Sequence, residues 1–72
     1  MSMLSIFDSK LPKEYSIVKW REYSDHFMVV VAKGDQVDNV YLKKAVAPRM
    51  HNKYVEQVID IMVMGMKFRE DK

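Results

Sequence analysis

Apolar and polar residues alternate in three short runs between positions 15 and 44, and from 48 onward the apolar period lengthens from two to about 3.6. The first run, YSIVKWREY at 15–23, places Val18 and Trp20 on one parity and Tyr15, Ile17, Lys19, Arg21 and Tyr23 on the other. The second, HFMVVVAK at 26–33, is apolar on both parities, the mark of a central strand covered on both faces. The third, QVDNVYLKK at 36–44, carries Val40 and Leu42 on one side and Val37 and Tyr41 on the other. These runs predict a three-stranded antiparallel meander over 15–44.

The connections set the register. Gly34-Asp35 puts glycine at the first central position, as a type II′ two-residue hairpin requires. Ser24-Asp25 is a weaker turn, since neither residue takes positive φ as readily as glycine. With these tips, Val31 lies opposite Asp38, Val29 opposite Val40 and Phe27 opposite Leu42, while Trp20 faces Val29 and Val18 faces Val31. One face then collects Val18, Trp20, Phe27, Val29, Val31, Val40 and Leu42 as a core layer. Its polar members Ser16, Glu22, Lys33, Gln36 and Lys44 fall at strand ends, and Asp38 is its one misfit.

Pro48 suits the first turn of a helix, where its missing N–H would be unpaired anyway. Over about 48–67, Met50, Tyr54, Val55, Val58, Ile59, Ile61, Met62, Met66 and Phe68 share half of the wheel, and Arg49, Asn52, Lys53, Glu56, Gln57, Asp60 and Lys67 share the other. Such a helix is roughly 30 Å long, enough to lie along strands of about 26 Å. A competing pattern makes residues 61–68 a fourth strand, with Met62, Met64, Met66 and Phe68 on one side; the charges favour the helix by keeping helical spacing. Residues 1–13 form a lead-in whose Met3, Leu4, Ile6 and Phe7 are apolar, a brief helix or extended piece folded over an edge of the core. The predicted fold is α+β, β-β-β-α in one domain over residues 1–72, with room for a short N-terminal helix.

Composition narrows the function classes. The chain has 72 residues, no cysteine and two histidines, so disulfides are excluded and a closed zinc site would need carboxylates almost throughout. The apolar fraction of 49% suffices for a core. A compact chain of this length has a radius of gyration of about 11 Å, which leaves little space for a drug-sized pocket beside one helix–sheet interface. A net charge of +2, from 12 basic and 10 acidic side chains, does not by itself announce a nucleic-acid protein. No stretch approaches ~20 apolar residues and the start of the chain lacks a secretory pattern, so the expectation is a soluble cytoplasmic protein without cofactor or membrane anchor.

Catalytic readings fail on geometry. Ser24-Asp25-His26 spells a triad, but consecutive residues at a turn are expected to point apart instead of converging on one proton path. Asp35 and Asp38 lack the dense oxygen spacing of a calcium loop and read as solvated acids. His51 falls on the apolar half of the helix, the place of a core-edge histidine. Gly34 is the only glycine before the helix, so no phosphate-cradling loop exists. The expectation is a non-enzyme with neither metal nor small-molecule substrate.

The second sheet face carries the functional signal. The register gives it Tyr15, Ile17, Lys19, Arg21, Tyr23, His26, Met28, Val30, Ala32, Val37, Asn39, Tyr41 and Lys43, without one acidic side chain. If the helix covers the other face, this face is an open apolar patch ringed by tyrosines and cations, the anatomy of a recognition surface. Its partner is expected to be another protein or a second copy, through Tyr15, Ile17, Lys19, Arg21, Tyr23, Met28, Val30, Val37, Tyr41 and Lys43. Val63 and Met64 lie outside the helix's apolar arc and mark a secondary interface. The alternative is nucleic acid, with Lys19, Arg21 and Lys43 on phosphates and Tyr15, Tyr23 or Tyr41 on bases or sugars. A three-stranded sheet backed by a C-terminal helix resembles in shape the arm-binding domains of phage integrases, and Lys43-Lys44-Ala45-Val46-Ala47 is a faint echo of the basic helix start of double-stranded-RNA domains, which the following Pro48 interrupts. The aliphatic centre suits a protein interface better than a phosphate backbone, and three or four cations would bind DNA only weakly. The size fits an accessory subunit, an adaptor, or an inhibitor of the kind mobile genetic elements encode.

Overall fold

The computed structural model describes residues 2–70. In chain order they form helix α1 (Met3–Lys10), strands β1 (Ser16–Glu22), β2 (His26–Lys33) and β3 (Gln36–Lys43), a 3₁₀ turn (Pro48–Met50) and helix α2 (His51–Glu70). The strands make one antiparallel sheet in the order β1-β2-β3. The fold is the expected α+β arrangement, short N-terminal helix included. Residues 61–68 are helical, which removes the fourth strand. Pro48 opens the helical region as expected, but its first turn is 3₁₀, and α2 continues to Glu70 instead of stopping near 67. Among the described residues no helix is long and apolar enough to cross a membrane.

Local chemistry explains the ends and turns. Ser2 caps α1, its hydroxyl accepting from the Ser5 N–H at 3.2 Å. Gly34 sits at φ +59, and no non-glycine among the described residues has positive φ, the signature of a II′ tip at Gly34-Asp35. Ser24-Asp25 also makes a two-residue connection, with the Tyr23 N–H donating to the His26 carbonyl at 2.8 Å. It does so without a primed turn, since neither residue leaves negative φ. The Lys44 N–H donates to the Asp25 carbonyl at 2.9 Å and holds the end of β3 against that turn.

The β2–β3 register is the one the turns dictate: Val31 faces Asp38, Val29 faces Val40 and Phe27 faces Leu42. β1 follows expectation through Trp20 opposite Val29 and Lys19 opposite Val30, then departs. Ile17 lies opposite Val31, where Val18 was expected, so one extra residue, Val18, is bulged out of the ladder. A bulge shifts every earlier residue to the other face. Tyr15 and Ile17, expected on the outer face, therefore lie on the core side, and Tyr15 is only 6% exposed. Val18, expected in the core opposite Val31, is exposed. Trp20 keeps its side but sits on the edge strand of the sheet, 53% exposed.

Both helices lie on one side of the sheet. Met3, Ile6 and Phe7 of α1 join Tyr15, Val29, Val31, Val40, Leu42, and Val55, Ile59, Met62 and Met66 of α2 in one core. Phe7 is completely buried, so the lead-in is a structural member and α1 runs against α2. That second helix explains why Val63, expected outside the apolar arc, is half-buried against the core: packing on two sides widens the buried stripe. Met3, Met62 and Met66 fill gaps in this core. Polar side chains at its margins pair off. Asp38, the misfit, meets Arg69 at 3.2 Å, Glu22 meets Lys44 at 2.6 Å and Lys10 meets Glu56 at 3.1 Å. The Gln36 side-chain amide donates to the Met66 carbonyl at 3.2 Å, leaving its own buried oxygen without a partner among the described residues. His51 closes the loop before α2, its Nε2 lying 2.9 Å from the Val46 carbonyl, a half-buried core-edge histidine as expected.

Candidate interaction surface on the outer sheet face

With both helices on the opposite side, the outer face is covered by no described element. Its cross-strand rows follow from the pairing: Arg21, Met28 and Tyr41; Lys19, Val30 and Asn39; Ser16, which the bulge brings to this face, with Ala32 and Val37; and His26 with Lys43, flanked by Tyr23. Met28, Val30 and Ala32 are half-buried, shielded only by their neighbours, and Val37 is exposed. The central strand is thus covered on one face, not on both as its sequence suggested. No acidic side chain belongs to these rows. Of the ten residues expected to bind a partner, Lys19, Arg21, Tyr23, Met28, Val30, Val37, Tyr41 and Lys43 share this face. Tyr15 and Ile17 do not. In the secondary surface, Met64 is exposed and Val63 is not.

An aromatic ladder stiffens one end of the face. The His26 ring lies between Tyr23 and Tyr41, with centroids 4.6 and 4.2 Å apart and planes inclined by 16° and 15°. Asp25 and His26, expected to diverge, meet: Nδ1 is 2.6 Å from the Asp25 carboxylate. A turn acid followed directly by a strand-start imidazole can reach back to it, and this bond pulls the Asp25 carboxyl below its ordinary value. Ser24 does not join them and makes no hydrogen bond among the described residues.

Charge on the face is uncompensated. Lys10, Lys44 and Arg69, all elsewhere, have carboxylate partners, whereas Lys19, Arg21 and Lys43 have none among the described residues. The sheet edges are blunted. On β3 the outward Asn39 N–H is taken by the Asp38 carboxylate and the outward Lys43 N–H by the Tyr54 hydroxyl, each at 3.0 Å. On β1 the Val18 bulge interrupts the row. Side chains on the face, and not backbone pairing along an edge, are therefore what the sheet offers.

Sequence parity missed part of the surface. A hollow of about 250 Å³ beside β1 is lined by Lys19, Trp20, Arg21, Tyr23, Met28 and Val30. Around the edge an open groove of about 770 Å³ is lined by Leu4, Ile17, Val18 and Trp20, with Ser2, Ser5, Asp8 and Lys19. Trp20 borders both, so the apolar surface turns the corner of the sheet there. Parity had assigned Trp20 and Val18 to the core; only the edge position of β1, implied by its place as first strand of the meander, hinted otherwise. No protein-family model, curated protein or solved structure matches this chain.

Proposed function

We propose that the chain is a small non-catalytic protein-binding module, an accessory subunit, adaptor or inhibitor that docks through the outer sheet face. One observation carries this reading: an uncovered aliphatic centre of Met28, Val30, Ala32 and Val37 inside a margin of Lys19, Arg21, Tyr23, Tyr41 and Lys43, with no acidic side chain in the cross-strand rows and only the turn residue Asp25 bordering them through His26. Apolar centre with Tyr/Arg margin is the usual make-up of a protein interface. Trp20, exposed where the face meets the β1 groove, adds the residue type most often dominant in binding. Lys19, Arg21 and Lys43, unpaired among the described residues and with no acid in the cross-strand rows, favour a partner presenting acidic groups around an apolar centre. A cysteine-free chain suits a reducing cytoplasm.

Nucleic acid is the weaker occupant. Tyr23 and Tyr41 each commit a ring face to His26, which reduces what they offer to bases. Three cations released from phosphates would give a log–log salt slope of only about −3. The test is a pull-down from the native host's lysate, with and without nuclease, comparing the wild type with Val30→Asp. Capture that survives nuclease and is lost in Val30→Asp at unchanged circular dichroism supports the protein reading. Capture abolished by nuclease, with a gel shift following the salt slope above, replaces it with the nucleic-acid reading.

A further inference from the structure

Helix α2 carries a second uncovered apolar surface, separate from the sheet face. Ile61, Met64 and Phe68 are 72%, 68% and 72% exposed, on the side of the helix away from the buried Val55, Ile59, Met62 and Met66. Their spacing of three and four aligns them as one ridge, the a–d–a pattern of a helix that packs on another helix. Two charges flank the ridge on the same side, Asp60 before Ile61 and Lys67 before Phe68. Both are exposed and neither is ion-paired among the described residues. On the other flank stands Gly65. A mid-helix glycine costs helix stability relative to alanine, and a Cβ at this position would meet nothing within 4 Å, so the chain's own packing does not require it. An approaching second backbone would.

We propose that two copies of this chain associate through antiparallel packing of their α2 helices, with Ile61 of each against Met64 of the other. The charges select this arrangement. Antiparallel pairing in that register brings Asp60 beside Lys67 of the second copy, twice by symmetry, and sets Val58 over the bare Gly65 backbone. A parallel pair leaves Asp60 beside Gly65 of the second copy with no charge partner. An antiparallel pair shifted by one heptad sets Asp60 against Asp60 and Lys67 against Lys53, like charge on like charge. Phe68 of the second copy falls across Gln57 and Ile61, at the mouth of the hollow of about 410 Å³ between α2 and β3. The pairing leaves both outer sheet faces outward, so it is independent of the function proposed above and would make the module bivalent.

Sedimentation across a concentration series tests it. The wild type is expected to dimerise reversibly, and Met64→Glu to remain monomeric with unchanged circular dichroism. Asp60→Lys alone and Lys67→Asp alone should each weaken self-association by about tenfold or more. Mixing those two variants should restore a dimer, because each then supplies the charge the other lacks; the double exchange in one chain should restore it too. A wild type that stays monomeric overturns the proposal. So does a dimer indifferent to Met64→Glu but broken by Met28→Asp, which would place self-association on the sheet face. A dimer lost in Met64→Glu but not rescued by mixing refutes the antiparallel register.

Discussion

Nδ1 of His26 lies 2.6 Å from Oδ1 of Asp25, and this bond, opposed by slight desolvation, holds the Asp25 carboxyl below its ordinary value of 3.8. The ionised form is favoured in the folded chain. The stability it lends is therefore complete above the ordinary value and is lost as pH falls through the lowered folded one. Because Asp25 is exposed, that contribution is small. Carboxyl NMR should give an Asp25 midpoint below 3.8, and His26→Phe, which keeps a ring between Tyr23 and Tyr41, should raise it. An unmoved midpoint in His26→Phe would remove the imidazole as the cause.

Phe7 tests whether α1 belongs to the domain. Its ring is wholly buried between sheet and α2. Phe7→Ala should cost about 3–5 kcal/mol, much of what a domain this small possesses. Phe68→Ala, the same change on an exposed site, should stay within about 0.5 kcal/mol in a monomeric sample. Urea titration separates the two; similar midpoints for both would mean that α1 does not dock as described.

The two glycines have opposite stakes. Gly34, at φ +59, is where an L side chain is strained, so Gly34→Ala should destabilise by about 1–2 kcal/mol. Gly65 lies in a regular helix with open space around it, so Gly65→Ala should stabilise the monomer by about 0.5–1 kcal/mol. Thermal melts at low protein concentration should show melting temperatures moving in opposite directions.

Tyr15 and Trp20 exchange the roles that parity assigns them. Tyr15→Ala should unfold a large fraction of the protein, at a cost of about 3 kcal/mol, because its ring is in the core under the Lys33 ammonium, 5.5 Å from the ring centre. Trp20→Ala should cost well under that while weakening partner capture. A Tyr15→Ala variant as mild as Trp20→Ala would mean the Val18 bulge is misplaced.

Parity fails at Tyr15 because of the bulge and at Trp20 because β1 is an edge strand, and these two reasons define what the sequence discloses about this fold. Strand number, order, the β2–β3 register and α2 were legible because Gly34-Asp35 pins one hairpin and a 3.6 period runs from Tyr54 to Met66. The bulge was not legible. No glycine marks Val18, and a single inserted residue in an edge strand leaves the alternation of its neighbours intact while inverting their meaning. The outer face survived because Lys19, Arg21 and Tyr23 lie beyond the bulge, between it and the Ser24-Asp25 turn. Asp38 was equally opaque: its partner Arg69 stands thirty-one residues away, on a helix end that amphipathic spacing had closed at 67.

Tyr54 ties the start of α2 to the end of β3. Its hydroxyl accepts the outward Lys43 N–H at 3.0 Å, so the half-buried ring packs on the core while its polar tip caps the sheet edge. Tyr54→Phe keeps the packing and removes only the acceptor. Solvent can replace the lost bond in part, because the site is exposed, and the cost should be about 0.5–1 kcal/mol. The sharper readout is local. Hydrogen exchange at the Lys43 amide should accelerate strongly, while the Lys44 amide, bonded to the Asp25 carbonyl on the inner side, should change little. Equal acceleration at both amides would mean the hydroxyl supports the whole strand end and is no cap for one N–H; no acceleration at Lys43 would mean the edge is closed by something other than Tyr54.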